Sequence, residues 1–178
     1  MPYPGVSAVV IVDFQNEWQL DTSPFSLGTI SLTATKCKTL VHEAFERNLP
    51  VIYTRHLLED HPDDAFSPFE ERSEIYEELP QDQRITLIEK HNWNPFAGTD
   101  LDQILQQNQV DHVVVGGLAV NAGVRSCAEF AWDLGYDVTL VEDCSLAESS
   151  RIMQQTLDDL QMYRNIEVEI LKDFDQFL

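Results

Sequence analysis

The run Ala8-Val-Val-Ile-Val12, ending at Asp13, constrains this chain more than any other feature. Five consecutive apolar residues, most of them β-branched, suit a strand covered on both faces inside a parallel sheet. Strand-like runs recur at Val51-Ile-Tyr-Thr54, Ile85-Thr-Leu-Ile88, Val113-Val-Val115, 137–141 and Ile166-Glu-Val-Glu-Ile170. Helical spacing separates them. Ile30, Ala34, Cys37, Val41 and Phe45 share one face of a predicted helix over 30–48. Further helices are predicted over 100–107, over 121–134 (Val124, Cys127, Ala128 and Ala131 inward) and over 149–162 (Met153, Leu157 and Leu160 inward). Such an alternating series predicts a three-layer α/β/α fold with a six-stranded, mainly parallel, Rossmann-like sheet and right-handed crossovers. The 178 residues suffice for a single domain over 1–178. Residues 56–84 are polar, acidic and punctuated by Pro62, Pro68 and Pro80, and read as a lid-like excursion holding a short helix.

Charge narrows the partners. Eleven Lys and Arg against 31 Asp and Glu leave a net charge of −20 with neutral histidines. That surface repels nucleic-acid phosphates and anionic membranes, so neither is an expected partner. No stretch approaches the ~20 apolar residues of a membrane span. The amino terminus lacks the basic-then-apolar layout of a secretory signal. Three widely spaced cysteines, Cys37, Cys127 and Cys144, form no CxxC unit and no zinc pattern. The expectation is a cytoplasmic protein acting on a small molecule, with Cys37 on a helix face and Cys144 just after the fifth strand as packing residues.

In open parallel sheets ligands bind beyond the carboxyl ends of the strands, where strand order reverses. That rule selects Asp13, the Tyr53–His56 turn, Lys90 and the loop Gly116–Gly123. A carboxylate closing so apolar a strand is costly unless paired, hydrogen-bonded or used; the alternative is a cap or turn-former for the next loop. Lys90 is equally readable as a solvated turn residue, but on the same sheet edge it makes a possible partner for Asp13. The segment Val115-Gly-Gly-Leu-Ala-Val-Asn-Ala-Gly-Val-Arg-Ser-Cys127 runs from strand through a small-residue loop into a helix. Free backbone N–H groups there, at Ala119, Val120 and Gly123, can hold an anion or an oxyanion.

Together these segments resemble the isochorismatase-like hydrolases, the superfamily that includes nicotinamidases and N-carbamoylsarcosine amidohydrolases. Val10-Ile-Val-Asp-Phe-Gln-Asn16 resembles the family's first strand with its Asp-x-Gln. Lys90-His-Asn-Trp-Asn-Pro-Phe96 and Gly98-Thr-Asp-Leu101 resemble its Lys-x-x-x-Ser-x-Phe and Gly-Thr-x-Leu segments. Gly117-Leu-Ala-Val-Asn121 resembles the Gly-Val-Ala-Thr-Asn/Asp loop, which commonly holds a cis peptide. The resemblance implies a homodimer or homotetramer and an Asp, Lys, Cys triad in which the thiol attacks an amide carbonyl. Asp13 and Lys90 match the first two positions. The third falls on Gly123, so the usual nucleophile is missing.

Three readings follow. Family members that hydrolyse vinyl ethers also have glycine at the third position, which implies Asp13 as a general acid with Lys90 as its electrostatic partner and no thiol. A substrate carboxylate that neutralised Lys90 would then help Asp13 hold its proton. The second reading is an inactive family member that binds a ligand or partner. The third is an amidase using Cys127, one helical turn beyond Gly123, as a displaced nucleophile. Gln15, Arg55, His56, Trp93, Phe96 and Asn121 are candidate pocket residues. No cofactor and no metal is expected: His56, Asp60, His61 and Asp64 depart from the spacing of nicotinamidase metal ligands.

Overall fold

A computed structural model of the chain describes residues 5–58 and 65–172. Six strands, β1 (Ser7–Val12), β2 (Val51–His56), β3 (Ile85–Lys90), β4 (His112–Leu118), β5 (Asp137–Leu146) and β6 (Glu167–Glu169), form one sheet in the order β3-β2-β1-β4-β5-β6. Every pairing is parallel. The four helices are α1 (Ser31–Glu46), α2 (Leu101–Gln107), α3 (Arg125–Asp133) and α4 (Ser150–Arg164).

Alternation along the strands sorts the core into two layers. Val9 and Ile11 of β1 pack with Cys37, Leu40 and Val41 of α1, whereas Ala8, Val10 and Val12 pack with Leu105, Cys127, Ala131 and Leu157 of α2, α3 and α4. All six residues of β1 are buried, as its unbroken apolar run requires of a central strand. Strand order reverses between β1 and β4, and that switch point carries Asp13 on one side and residues 118–124 on the other.

Boundaries near the site differ from the sequence reading. Gly116 and Gly117 belong to β4 rather than to a loop. A Cβ on Gly117 would run into the backbone N and O of Val12, and one on Gly116 would lie 2.9 Å from the Cβ of Cys144. These glycines let three strands converge where the site is built. β5 also continues past Val141 to Leu146, through an irregularity opposite Val115–Gly117, so Cys144 lies within the strand instead of after it. Cys37 and Cys144 are buried in one layer, and the Cys37 thiol donates to the Cys144 carbonyl at 3.2 Å. Among its described residues the 56–84 segment contains a 3-10 turn, Glu71–Ser73. Buried Glu17 ties it down, accepting from Arg72 Nε at 2.6 Å, from Arg72 Nη2 at 2.8 Å and from the Phe66 amide at 3.1 Å.

At the opposite end of the sheet His112 lies buried between Ser7 Oγ and Thr139 Oγ1, each at 2.9 Å. Burial lowers its pKa to about 4, against an opposing pull from Asp137. The unfolded chain therefore takes up this proton first, and the stability held by neutral His112 drains away as pH falls from about 6.5 towards 4. Between pH 7 and pH 5 this amounts to about 2 kcal/mol. Urea denaturation of the His112→Gln variant is expected to show a correspondingly smaller loss over that interval than the parent protein.

Candidate active site

Asp13 leaves β1 with φ 49°, a left-handed conformation that aspartate tolerates better than most residues. Its amide donates to the Thr54 carbonyl and shares Thr54 Oγ1, both at 3.1 Å. The carboxylate accepts from the Thr54 hydroxyl at 2.6 Å through Oδ1 and from Lys90 Nζ at 2.7 Å through Oδ2. Lys90, at the end of β3, reaches past the end of β2 to make this contact. Its remaining donors go to the carbonyls of Asn92 at 2.9 Å and Trp93 at 3.3 Å. Both side chains are wholly removed from solvent. Burial drives the Asp13 carboxyl above its ordinary value, while Lys90 and the Thr54 hydroxyl pull against it.

Gly123 faces this pair from a π-type turn, Val120–Val124, that follows a cis Leu118–Ala119 peptide. The turn delays the helix, so α3 starts at Arg125, four positions after the predicted start. A Cβ on Gly123 would lie 2.8 Å from Asp13 Oδ2 and 2.9 Å from Val12 Cγ1. Where the resemblance puts a nucleophile, backbone rests against the carboxylate. Cys127, one helical turn further on, sits in a different environment. It is fully buried in the core layer with Val124, Ala128 and Ala131, and burial pushes its thiol up to about 12. A thiol so protonated at neutral pH is a poor nucleophile.

A cavity of about 370 Å³ is linked to the pair through two of its lining residues: the Trp93 carbonyl accepts from Lys90, and the Trp18 indole donates to the Asp13 carbonyl. Of the candidate pocket residues, Trp93 and Asn121 line it. Gln15 does not: it is fully buried, with its amide bonded to the His56 N–H at 2.8 Å, the His56 carbonyl at 2.9 Å and the Ser73 carbonyl at 2.6 Å, holding the excursion to β2. Arg55 points elsewhere, to Glu74 at 2.7 Å and Glu89 at 3.3 Å, because alternation along β2 turns it away from its neighbours Thr54 and His56. Phe96 packs in the α2/α3 layer against Phe130. His56 lies beneath the cavity wall, stacked on Trp93 at 4.6 Å, with Nδ1 unpartnered; burial and Lys90 lower its pKa to about 4. The other suggested metal ligands, Asp60, His61 and Asp64, lie outside the described residues.

Trp18, Phe25 and Glu148 also line the cavity and were missed in the sequence. Trp18 had a usable signal, an aromatic residue just beyond the strand end; its indole donates to the Asp13 carbonyl at 2.7 Å. Phe25 and Glu148 had none, since the tertiary fold alone brings those loops together. A larger groove of about 940 Å³ runs between α1 and residues 77–82, beside exposed Lys38, His42 and Glu77 and away from Asp13.

Removing Lys90 leaves a buried carboxylate without its counter-ion. Lys90→Met is expected to cost roughly 3–5 kcal/mol, with much of it regained in the Asp13→Asn/Lys90→Met double variant, both read by chemical denaturation. Gly123→Ala forces a methyl group against Asp13 and Val12 and is expected to cost about 1–3 kcal/mol. An undiminished unfolding midpoint would mean that the turn retreats freely.

An isochorismatase domain model matches residues 7–168. The isochorismatase family protein YddQ of Bacillus subtilis is 30% identical over 155 residues, covering 82% of this chain and 81% of that protein. A crystal structure of an isochorismatase family protein from Desulfovibrio vulgaris superposes with a TM-score of 0.89 at 22% identity, covering 96% of this chain and 97% of that one. N-carbamoylsarcosine amidase from Thermoplasma acidophilum superposes with a TM-score of 0.79 at 25% identity, covering 93% and 96%. The chain belongs to the isochorismatase family.

Proposed function

We propose that this protein is a small-molecule hydrolase that works without a thiol, with Asp13 as general acid and base and Lys90 as its electrostatic partner. The observation that carries the reading is the buried 2.7 Å contact between the two at the sheet's switch point, faced by Gly123 where the resemblance implies a nucleophile. Burial raises the Asp13 pKa, the direction a general acid requires, while Lys90 opposes it. With a vinyl ether, Asp13 protonates the terminal vinyl carbon and the adjacent carbon becomes an oxocarbenium centre. Water adds to that centre and returns a proton to the Asp13 carboxylate. The hemiketal then collapses to an alcohol and a ketone, so the net change is addition of one water. This chemistry requires the substrate to reach Asp13, which is fully buried.

Lys90 has no free donor for a substrate carboxylate, contrary to the sequence expectation, because its donors are engaged by Asp13, Asn92 and Trp93. The same closure favours a second reading, in which the pair is structural and the cavity only binds a ligand.

A panel of vinyl ethers, amides and nitriles separates these. The expected result is vinyl-ether turnover that falls by about a hundredfold or more in Asp13→Asn and persists in Cys127→Ser, with circular dichroism confirming that both variants fold. Turnover retained in Asp13→Asn overturns the acid–base role. Loss in Cys127→Ser would instead reinstate the thiol, and no turnover on any substrate favours the binding reading.

A further inference from the structure

The cavity beside Asp13 has a definite electrostatic character. Among the described residues that line it, Glu148 alone carries a charge, and that charge is negative. Trp18, Phe25 and Trp93 form an aromatic wall, their ring centroids 5.9–6.4 Å apart. Among the described residues no cation is on offer to a ligand here. Lys90 is buried and spent on Asp13, Asn92 and Trp93, and His56 behind Trp93 is held neutral by burial and by Lys90. Beyond the cavity, the net charge of −20 extends the same sign of field into solution.

We propose that this cavity selects a small organic cation, an ammonium or amidinium group resting against the aromatic wall with its charge towards Glu148. The negative faces of aromatic rings attract such a group, and more strongly as it loses water. An exposed carboxylate at the rim adds steering and orientation. An anionic ligand meets the opposite situation, with Glu148 repelling it and no donor side chain of positive charge to receive it. The volume of about 370 Å³ accommodates a compact molecule. This inference rests on the cavity being the ligand site of the proposed function, and not on the chemistry assigned to Asp13.

The test is direct binding, followed by tryptophan fluorescence and calorimetry on the full chain. The probes are choline, its uncharged tert-butyl isostere and the matching carboxylate. Choline is expected to bind about tenfold or more tightly than the isostere, and the carboxylate not at all. Glu148→Gln, an exposed position whose replacement leaves the core untouched, is expected to weaken choline about fivefold while leaving the isostere unchanged. Equal affinity for choline and its isostere, tighter binding of the carboxylate, or no binding of any probe overturns the inference. Such a result leaves the vinyl-ether assay standing, and failure of that assay leaves cation binding to be judged by titration alone.

Discussion

The buried pair of Asp13 and Lys90 is the interaction on which the carboxyl end of the sheet depends. Two opposite charges without solvent are tolerable only when their remaining donors and acceptors are met. Here they are met by the Thr54 hydroxyl and by the carbonyls of Asn92 and Trp93. That demand fixes local geometry: Asp13 takes a left-handed backbone, Thr54 turns its hydroxyl to the carboxylate, and the 90–93 segment folds back so that its carbonyls face the ammonium. The pair thus clamps β1, β2 and β3 at the edge where parallel sheets bind ligands.

Closure follows from small residues. Gly117 lets β4 lie close against Val12, and Gly123 lets the turn after it touch the Asp13 carboxylate. Where the resemblance implies a thiol, this chain sets backbone against the carboxylate. The polar pair is sealed, and the open cavity lined by Trp93, Ala119 and Ala122 is a separate compartment. One compartment holds the buried acid and ammonium, and the other holds the aromatic and acidic surface that meets solvent. Trp93 belongs to both, through its carbonyl to Lys90 and its ring to the cavity.

Much of this was legible in the residues. The β1 run, the spacing of α1 and α4 and the placement of Asp13 and Lys90 on one edge all follow from local hydrophobic periodicity, which folding leaves intact. The misreadings share a different cause. Gly116-Gly117 looks like a turn, but the glycines serve close strand approach, a property of neighbours distant in sequence. Gln15, Arg55 and Phe96 sit in or beside motif positions, yet each is drawn away by a partner the sequence does not identify: His56 and Ser73, Glu74 and Glu89, and Phe130.

The sequence by itself therefore determined the layer order, the central buried strand, the family resemblance and the absence of a thiol at position 123, because these depend on residue type and short-range period. Only the tertiary structure decided that Asp13 and Lys90 are sealed from solvent, that Cys127 is committed to the core, and that Trp18, Phe25, Trp93 and Glu148 share one cavity. Those outcomes depend on how distant loops converge at a switch point, and convergence is set by packing across the whole sheet rather than by any one segment.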